Sequence, residues 1–288
     1  MSMRPGSTTR ARVRQISGGE ELIRRDSLAT EEPLELRLVA GVQKRTLAVT
    51  MRTPGNDFEL AAGFLHGESV VTSQDEIAQI SYCTDPGIDA EQRYNIVNVA
   101  LRSGTLPELP GLERHFATSS ACGVCGKASL DALKLNGCSA LDGGPVIDTE
   151  TLYGLPDAIR AAQGVFESTG GLHAAALFTP AGELVALRED IGRHNAVDKL
   201  VGWALLNGHF PLSDNVLMVS GRAGYEILQK ALAAGIAVVA AVSAPSSLAV
   251  ALANDFHLTL VGFLRGRRCN VYAGEERIRL PLSTATPV

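Results

Sequence analysis

Residues 215–243 read "NVLMVSGRAGYEILQKALAAGIAVVAAVS". An apolar run ends at Ser220-Gly221, a helix-period segment begins near Ala223, and a second apolar run follows Gly235. This is a strand, a helix and a strand. Runs that are apolar at nearly every position, not every second one, suit strands buried on both faces. A helix between two such strands is the crossover that leaves them parallel.

Reading outward, a helix from Ser246 and the strand "HLTLVGFL" (257–264) continue the alternation. Upstream, "GLHAAALFTPAGELVALRED" (171–190) is a hairpin turning through Thr179-Pro180-Ala181-Gly182, and a helix spans about 193–207. The expectation is a three-layer α/β/α arrangement whose mixed sheet is largely parallel.

The amino-terminal half reads as a smaller α/β region. "RTLAVTMR" (45–52) alternates like a strand, and "PGNDFELAAGFLHGE" (54–68) offers Asn56 as the cap of an apolar-faced helix. "EIAQISYC" (76–83) and "RYNIVNVAL" (93–101) read as strands around a turn containing Asp85-Pro86-Gly87. The first residues, "MSMRPGSTTRARVRQISGG", contain four arginines and no acid. The organisation expected is a flexible tail (1–18), a smaller region (19–115), and a larger domain (116–288) opening on a cysteine-bearing loop.

Composition narrows the function classes. The 288 residues are 45% hydrophobic and 20% charged, as in ordinary globular proteins. A net charge of −5 argues against a nucleic-acid-binding role. No apolar run approaches the roughly 20 residues that cross a bilayer, and the amino end lacks a signal-peptide core. Five cysteines, an odd and sparse count, suit a reducing cytoplasm.

Four loops follow the strands of the larger domain: "REDIGRHNAVDK" (188–199), "SGRAGYE" (220–226), "SAPSS" (243–247) and "FLRGRR" (263–268). Sheets of this class bind ligands beyond the carboxyl ends of their strands. Cationic and polar groups gathered there, among them Arg193, His194, Ser220, Arg265, Arg267 and Arg268, point to a polar, anionic ligand.

"SSACGVCGKASL" (119–130) sets Cys122 and Cys125 three apart between a long loop and an apparent helix start. A structural zinc site needs four ligands, and Cys83, Cys138 and Cys269 are isolated in sequence. A zinc deaminase uses H-x-E followed by P-C-x-x-C. "HGE" (66–68) supplies the first half, but Ala121 stands where the proline belongs. A thioredoxin-type pair follows a strand directly, and this one does not. A carrier thiol also fits: a helix amino end favours the thiolate, which can attack a sulfane sulfur and hold it as a persulfide.

The strings "CGVCG", "REDIGRHNAVDK", "SGRAGYEILQKA", "AVSAPSSLAV" and "LTLVGFLRGRRCNVY", within residues 20–280, resemble the formate dehydrogenase accessory sulfurtransferase family, FdhD. That resemblance implies a cytidine deaminase-like fold without zinc chemistry and with no metal of its own. It implies a cytoplasmic carrier that accepts sulfur from a cysteine desulfurase as a persulfide. The sulfur then passes to the molybdenum bis(guanylyl molybdopterin) cofactor, a bound substrate, before formate dehydrogenase receives it. Cys122 would carry the sulfur and Cys125 assist. Phe263, Leu264, Arg265, Gly266, Arg267 and Arg268 match the family's cofactor-binding stretch, with Arg193, His194 and Ser220 as further contacts. Nucleic acid and membrane are not among the implied partners, and a homodimer is compatible with the sequence. The competing readings are a non-enzymatic cofactor-binding chaperone and a zinc-dependent deaminase-like hydrolase.

Overall fold

The computed structural model describes residues 5–89, 92–108 and 138–281. The chain opens with strands β1 (Thr8–Ser17), β2 (Glu20–Ala29), β3 (Glu32–Ala40) and β4 (Gln43–Arg52). Helix α1 (Asp57–Gly67) precedes β5 (Ile77–Tyr82) and β6 (Ile96–Leu101). The next elements are β7 (Ile147–Asp148), α2 (Thr149–Ala162), α3 (Gly164–Thr169), β8 (His173–Phe178) and β9 (Leu184–Asp190). Then come α4 (Arg193–Leu206), β10 (Val216–Val219), α5 (Tyr225–Ala233) and β11 (Val238–Ala241). Last are α6 (Ser247–Asp255), β12 (Thr259–Arg265), β13 (Arg268–Ala273) and β14 (Ile278–Arg279). No helix among the described residues is long and apolar enough to cross a membrane.

The described residues divide into two compact units: 5–108, 163–173 and 189–208 in the first, 138–162, 174–188 and 209–281 in the second. The expected boundary near residue 115 lies outside the described residues. Two later segments, α3 and α4 with their flanks, belong with the amino-terminal part, because α4 packs on α1.

The first unit holds a four-stranded sheet in the order β4-β3-β6-β5, with β3 and β6 parallel and the outer pairs antiparallel. Leu34, Leu36 and Leu38 alternate on β3 and are buried, as expected of a strand with one face on a core. The predicted cap of α1 needs correction. Asn56 does precede the helix, but its φ of 56° is left-handed and its side chain makes no capping bond. Asparagine is one of the few residues that adopt this conformation readily. Asp57 serves the turn instead, accepting the Gly55 amide at 3.2 Å.

The expected flexible tail is also corrected. Residues 8–17 form β1, paired with β2 in unbroken antiparallel register from Thr8↔Ala29 to Ser17↔Glu20. Gly18 and Gly19, with φ of 60° and 89°, make the two-residue turn. Positive φ at both central positions is what a tight hairpin twist demands.

The second unit is built on the six-stranded mixed sheet β13-β12-β11-β10-β8-β9. β10, β11 and β12 are parallel, and β8 and β13 run against their neighbours. All residues of β10 and β11 are buried, which accounts for their continuous apolar sequence. Leu152, Leu155 and Ile159 of α2 pack with Phe178, Met218, Ala240 and Val261 on one face. The alternate residues Leu217, Val239 and Leu260 are equally buried, on the side of the crossover helices α5 and α6. Ser246 caps α6, its hydroxyl accepting the Ala249 amide at 3.2 Å.

In the first unit α1 and α4 meet backbone to backbone. A Cβ added to Gly63 would lie 1.8 Å from the Asp198 carbonyl oxygen, and one on Gly202 would lie 1.8 Å from that of Glu59. Overpacking costs about 1–3 kcal/mol, and here the obstruction is backbone that cannot rotate away. Alanine gains only about 1 kcal/mol in helix propensity. Gly63→Ala and Gly202→Ala should therefore each lower the thermal midpoint. Gly154→Ala in α2, where a Cβ meets open space, should leave it unchanged or raise it. Differential scanning fluorimetry on the three variants checks this.

Candidate functional site

The parallel strands of the second unit bring Ser220, Ser243 and Arg265 to one edge of its sheet. Ser220 extends the ladder beyond β10: its amide donates to the Ala174 carbonyl and its Oγ accepts the Ala174 amide, both at 2.9 Å. At β12 the pairing with β13 shifts register between Gly262 and Arg265. Phe263 lies in the bulge with a left-handed φ of 51°, a conformation a large side chain adopts only when its surroundings enforce it. Its amide donates to the Ser243 carbonyl at 3.2 Å. A Cβ on Gly262 would fall 2.9 Å from Cδ of Pro245 and 3.0 Å from the Tyr272 ring. Glycine at 262 is what lets the 243–247 loop lie on the strand.

The arginine-rich tip is not uniform. Arg265, Gly266, Arg267 and Arg268 are exposed, Phe263 is partly buried, and the Leu264 side chain is buried in the core below. Leu264 can offer a ligand only its backbone. Arg265 donates through Nε to the Val242 carbonyl at 3.2 Å. Arg267 is engaged elsewhere in the unit: its guanidinium grips Glu150 of α2 in bidentate fashion at 2.6 and 2.5 Å and lies 5.6 Å from the centre of the Tyr153 ring. Arg268 has no ion pair among the described residues. Arg265 and Arg268, paired across the hairpin, are the cations this edge can turn toward an anion.

Arg193 and His194, both partly buried, occupy the first turn of α4 in the first unit. They are thus assigned to a different unit from Ser220 and 263–268. The rest of "REDIGRHNAVDK" forms a buried polar network. Lys199 Nζ lies 2.7 Å from Asp190 Oδ2, with side chains 2% and 0% exposed. Asp190 also accepts the amides of Thr53 (3.1 Å) and Gly192 (2.8 Å) and the Asn195 side-chain amide (3.0 Å). Lys199 donates to the carbonyls of Thr53 (2.9 Å) and Glu189 (3.3 Å). Asn195 donates to the Met51 carbonyl at 2.8 Å. Glu189 turns its carboxylate onto the amino end of α3, accepting the amides of Val165 and Phe166 at 3.0 and 2.8 Å, the sign that the helix dipole favours.

A second buried pair escaped the sequence reading. Arg52 lies 3.1 Å from Asp57, which also accepts the Tyr82 hydroxyl at 2.9 Å. Arg52 donates further to the Tyr94 carbonyl and to Asn95. The only sequence signal was an arginine at the end of an alternating strand, five positions before an aspartate. His66, the histidine of the H-x-E string, closes α1 and sets Nδ1 3.2 Å from the Val71 carbonyl oxygen.

Cys122 and Cys125 lie outside the described residues. Of the other thiols, Cys83 is buried while Cys138 and Cys269 are partly so. Burial pushes the thiols of Cys138 and Cys269 up from their ordinary pKa, which suppresses the nucleophilic thiolate.

The buried network yields a direct expectation. Breaking a buried ion pair from one side strands the other charge and costs about 3–5 kcal/mol. Lys199→Met and Asp190→Asn should each lose stability on that scale. The double variant should lose less than the sum, because neither charge is then left alone. Urea denaturation of the set measures the coupling.

Residues 29–279 match the FdhD/NarQ family. A protein from Streptomyces avermitilis named "Sulfur carrier protein FdhD" is 56% identical, the match covering 96% of this chain and 98% of the relative. Relatives of the same name are 50% identical in Mycobacterium tuberculosis, over 94% and 99% of the two chains, and 41% in Sulfolobus acidocaldarius, over 94% and 98%. The crystal structure of a candidate formate dehydrogenase accessory protein from Desulfotalea psychrophila superposes with a TM-score of 0.72 at 24% identity, covering 94% of this chain and 99% of that one. With a family match over residues 29–279 and relatives that align nearly end to end, the chain belongs to the FdhD/NarQ family.

Proposed function

We propose that this chain is a cytoplasmic sulfur carrier that accepts sulfur from a cysteine desulfurase on Cys122 and passes it to the molybdenum bis(guanylyl molybdopterin) cofactor destined for formate dehydrogenase. The observation that carries the reading is identity of 41–56%, over nearly the whole chain, to proteins named as sulfur carriers. The distribution of thiols supports it. Cys83, Cys138 and Cys269 are held in or against the folded units, which leaves the Cys122-x-x-Cys125 pair for the chemistry.

In the loading step the Cys122 thiolate attacks the terminal sulfur of the donor's persulfide. A new S–S bond forms on Cys122, the donor's S–S bond breaks, and the donor cysteine leaves as a thiolate. Delivery as sulfide needs two electrons. Attack of the Cys125 thiolate on Cys122 Sγ supplies them, releasing the outer sulfur and leaving a disulfide between the two cysteines. In this reading the protein is a sulfurtransferase and Cys125 the assisting thiol. The second unit, with its three layers, is the part we read as deaminase-like.

At the acceptor side, Arg265 and Arg268 take the cofactor's pyrophosphate, since guanidinium forks match phosphate oxygens in charge and geometry. Phe263, Gly266 and the Leu264 backbone shape the tip, and Ser220 borders it. Arg267 stabilises the tip through Glu150.

Two measurements test the proposal. Incubation with a desulfurase and cysteine should add one sulfur atom to the intact mass of the wild type and of Cys125→Ala, and none to Cys122→Ala. A Cys122→Ala variant that still matures formate dehydrogenase would instead favour the cofactor-binding chaperone. Guanosine diphosphate, which shares the guanine and pyrophosphate of the cofactor, should bind about tenfold or more weakly to Arg265→Ala and Arg268→Ala, as expected for loss of a charged hydrogen bond. Calorimetry on these variants, with unchanged affinity in both, would place the cofactor elsewhere.

A further inference from the structure

We infer that one face of the β1–β2 hairpin is a docking surface for a protein partner bearing an acidic patch. Side chains alternate across a strand, and directly paired residues share a face. The register puts Arg10, Arg12, Arg14 and Ile16 of β1 on the same face as Ile23 and Arg25 of β2. All six are exposed. Arg14 is paired with Glu21 at 3.3 Å, whereas Arg10, Arg12 and Arg25 have no ion pair among the described residues. Arg12 stands directly opposite Arg25. Like charges so placed destabilise a ribbon, so hairpin stability does not account for them. A complementary anionic surface does.

The occupant follows from what accompanies the charge. Ile16 and Ile23 are 66% and 53% exposed on the same face. Arginine beside exposed aliphatic groups is the composition of a protein-binding patch. A nucleic acid would leave the isoleucines unrewarded. A carboxylate-rich protein face with apolar residues between its acids satisfies both halves. The inference rests on the hairpin alone and stands whether or not Cys122 carries sulfur.

The test uses the full chain and three labelled probes in fluorescence anisotropy: a peptide alternating glutamate pairs with leucine, a polyglutamate of equal charge, and a DNA duplex. The wild type should bind the glutamate–leucine peptide more tightly than polyglutamate, with affinity falling as salt rises. Arg10→Gln/Arg12→Gln/Arg25→Gln should weaken that binding about tenfold or more. Ile23→Ser should remove the preference for the leucine-containing peptide. Arg24→Gln, adjacent in sequence but on the opposite face, should change neither. Peptide binding that is absent, or equal in the triple variant, would overturn the inference. So would DNA bound as tightly as the peptide and lost in the same variant, or sedimentation showing a wild-type dimer that the triple variant dissolves, since the face would then serve a polyanion or a second copy.

Discussion

The buried pair of Asp190 and Lys199 is the constraint on which the first unit depends. Its two charges clamp one backbone residue from both sides, because Asp190 accepts the Thr53 amide and Lys199 donates to the Thr53 carbonyl. Residues far apart in sequence are thereby fixed at the point where β4 turns toward α1. Isolated buried charges are costly, and this pair is tolerable because its carboxylate and ammonium are also supplied with further hydrogen bonds. Arg52 and Asp57 repeat the device a few residues along. Between the two pairs the segment 52–57 has little conformational freedom.

That rigidity has a consequence in the helices. The start of α1 is fixed by Asp57, and α4 is fixed by Asn195 and Lys199 to the same strand end. The helices then approach until backbones touch at Gly63 and Gly202. Such an approach leaves no room for any side chain, so both glycines are demanded by contact and not by backbone conformation. The string "REDIGRHNAVDK" is in this light largely structural, with Asp190, Asn195 and Lys199 turned inward.

In the second unit, a bulge at Phe263 and a glycine at 262 bring the strand end and the 243–247 loop together. The three arginines of the tip are chemically identical but not equivalent. The one that reaches Glu150 and Tyr153 braces the hairpin against α2, while its neighbours face outward.

Much of this was legible in the sequence. The apolar runs at 216–219 and 238–241, the 171–190 hairpin and the helix after Ser246 are written in local periodicity and turn chemistry, and those elements form where the pattern places them. Family membership was legible too, in long strings that few other folds would require together. The β1–β2 hairpin was hidden because alternating arginines read as a charged tail, although Gly18-Gly19 marked its turn. The division into units, the pairing of Arg267 with Glu150 and the Asp190–Lys199–Thr53 clamp belong to the tertiary structure alone. Each joins residues many positions apart through burial and geometry, and a linear pattern records which groups are available but not which of them meet.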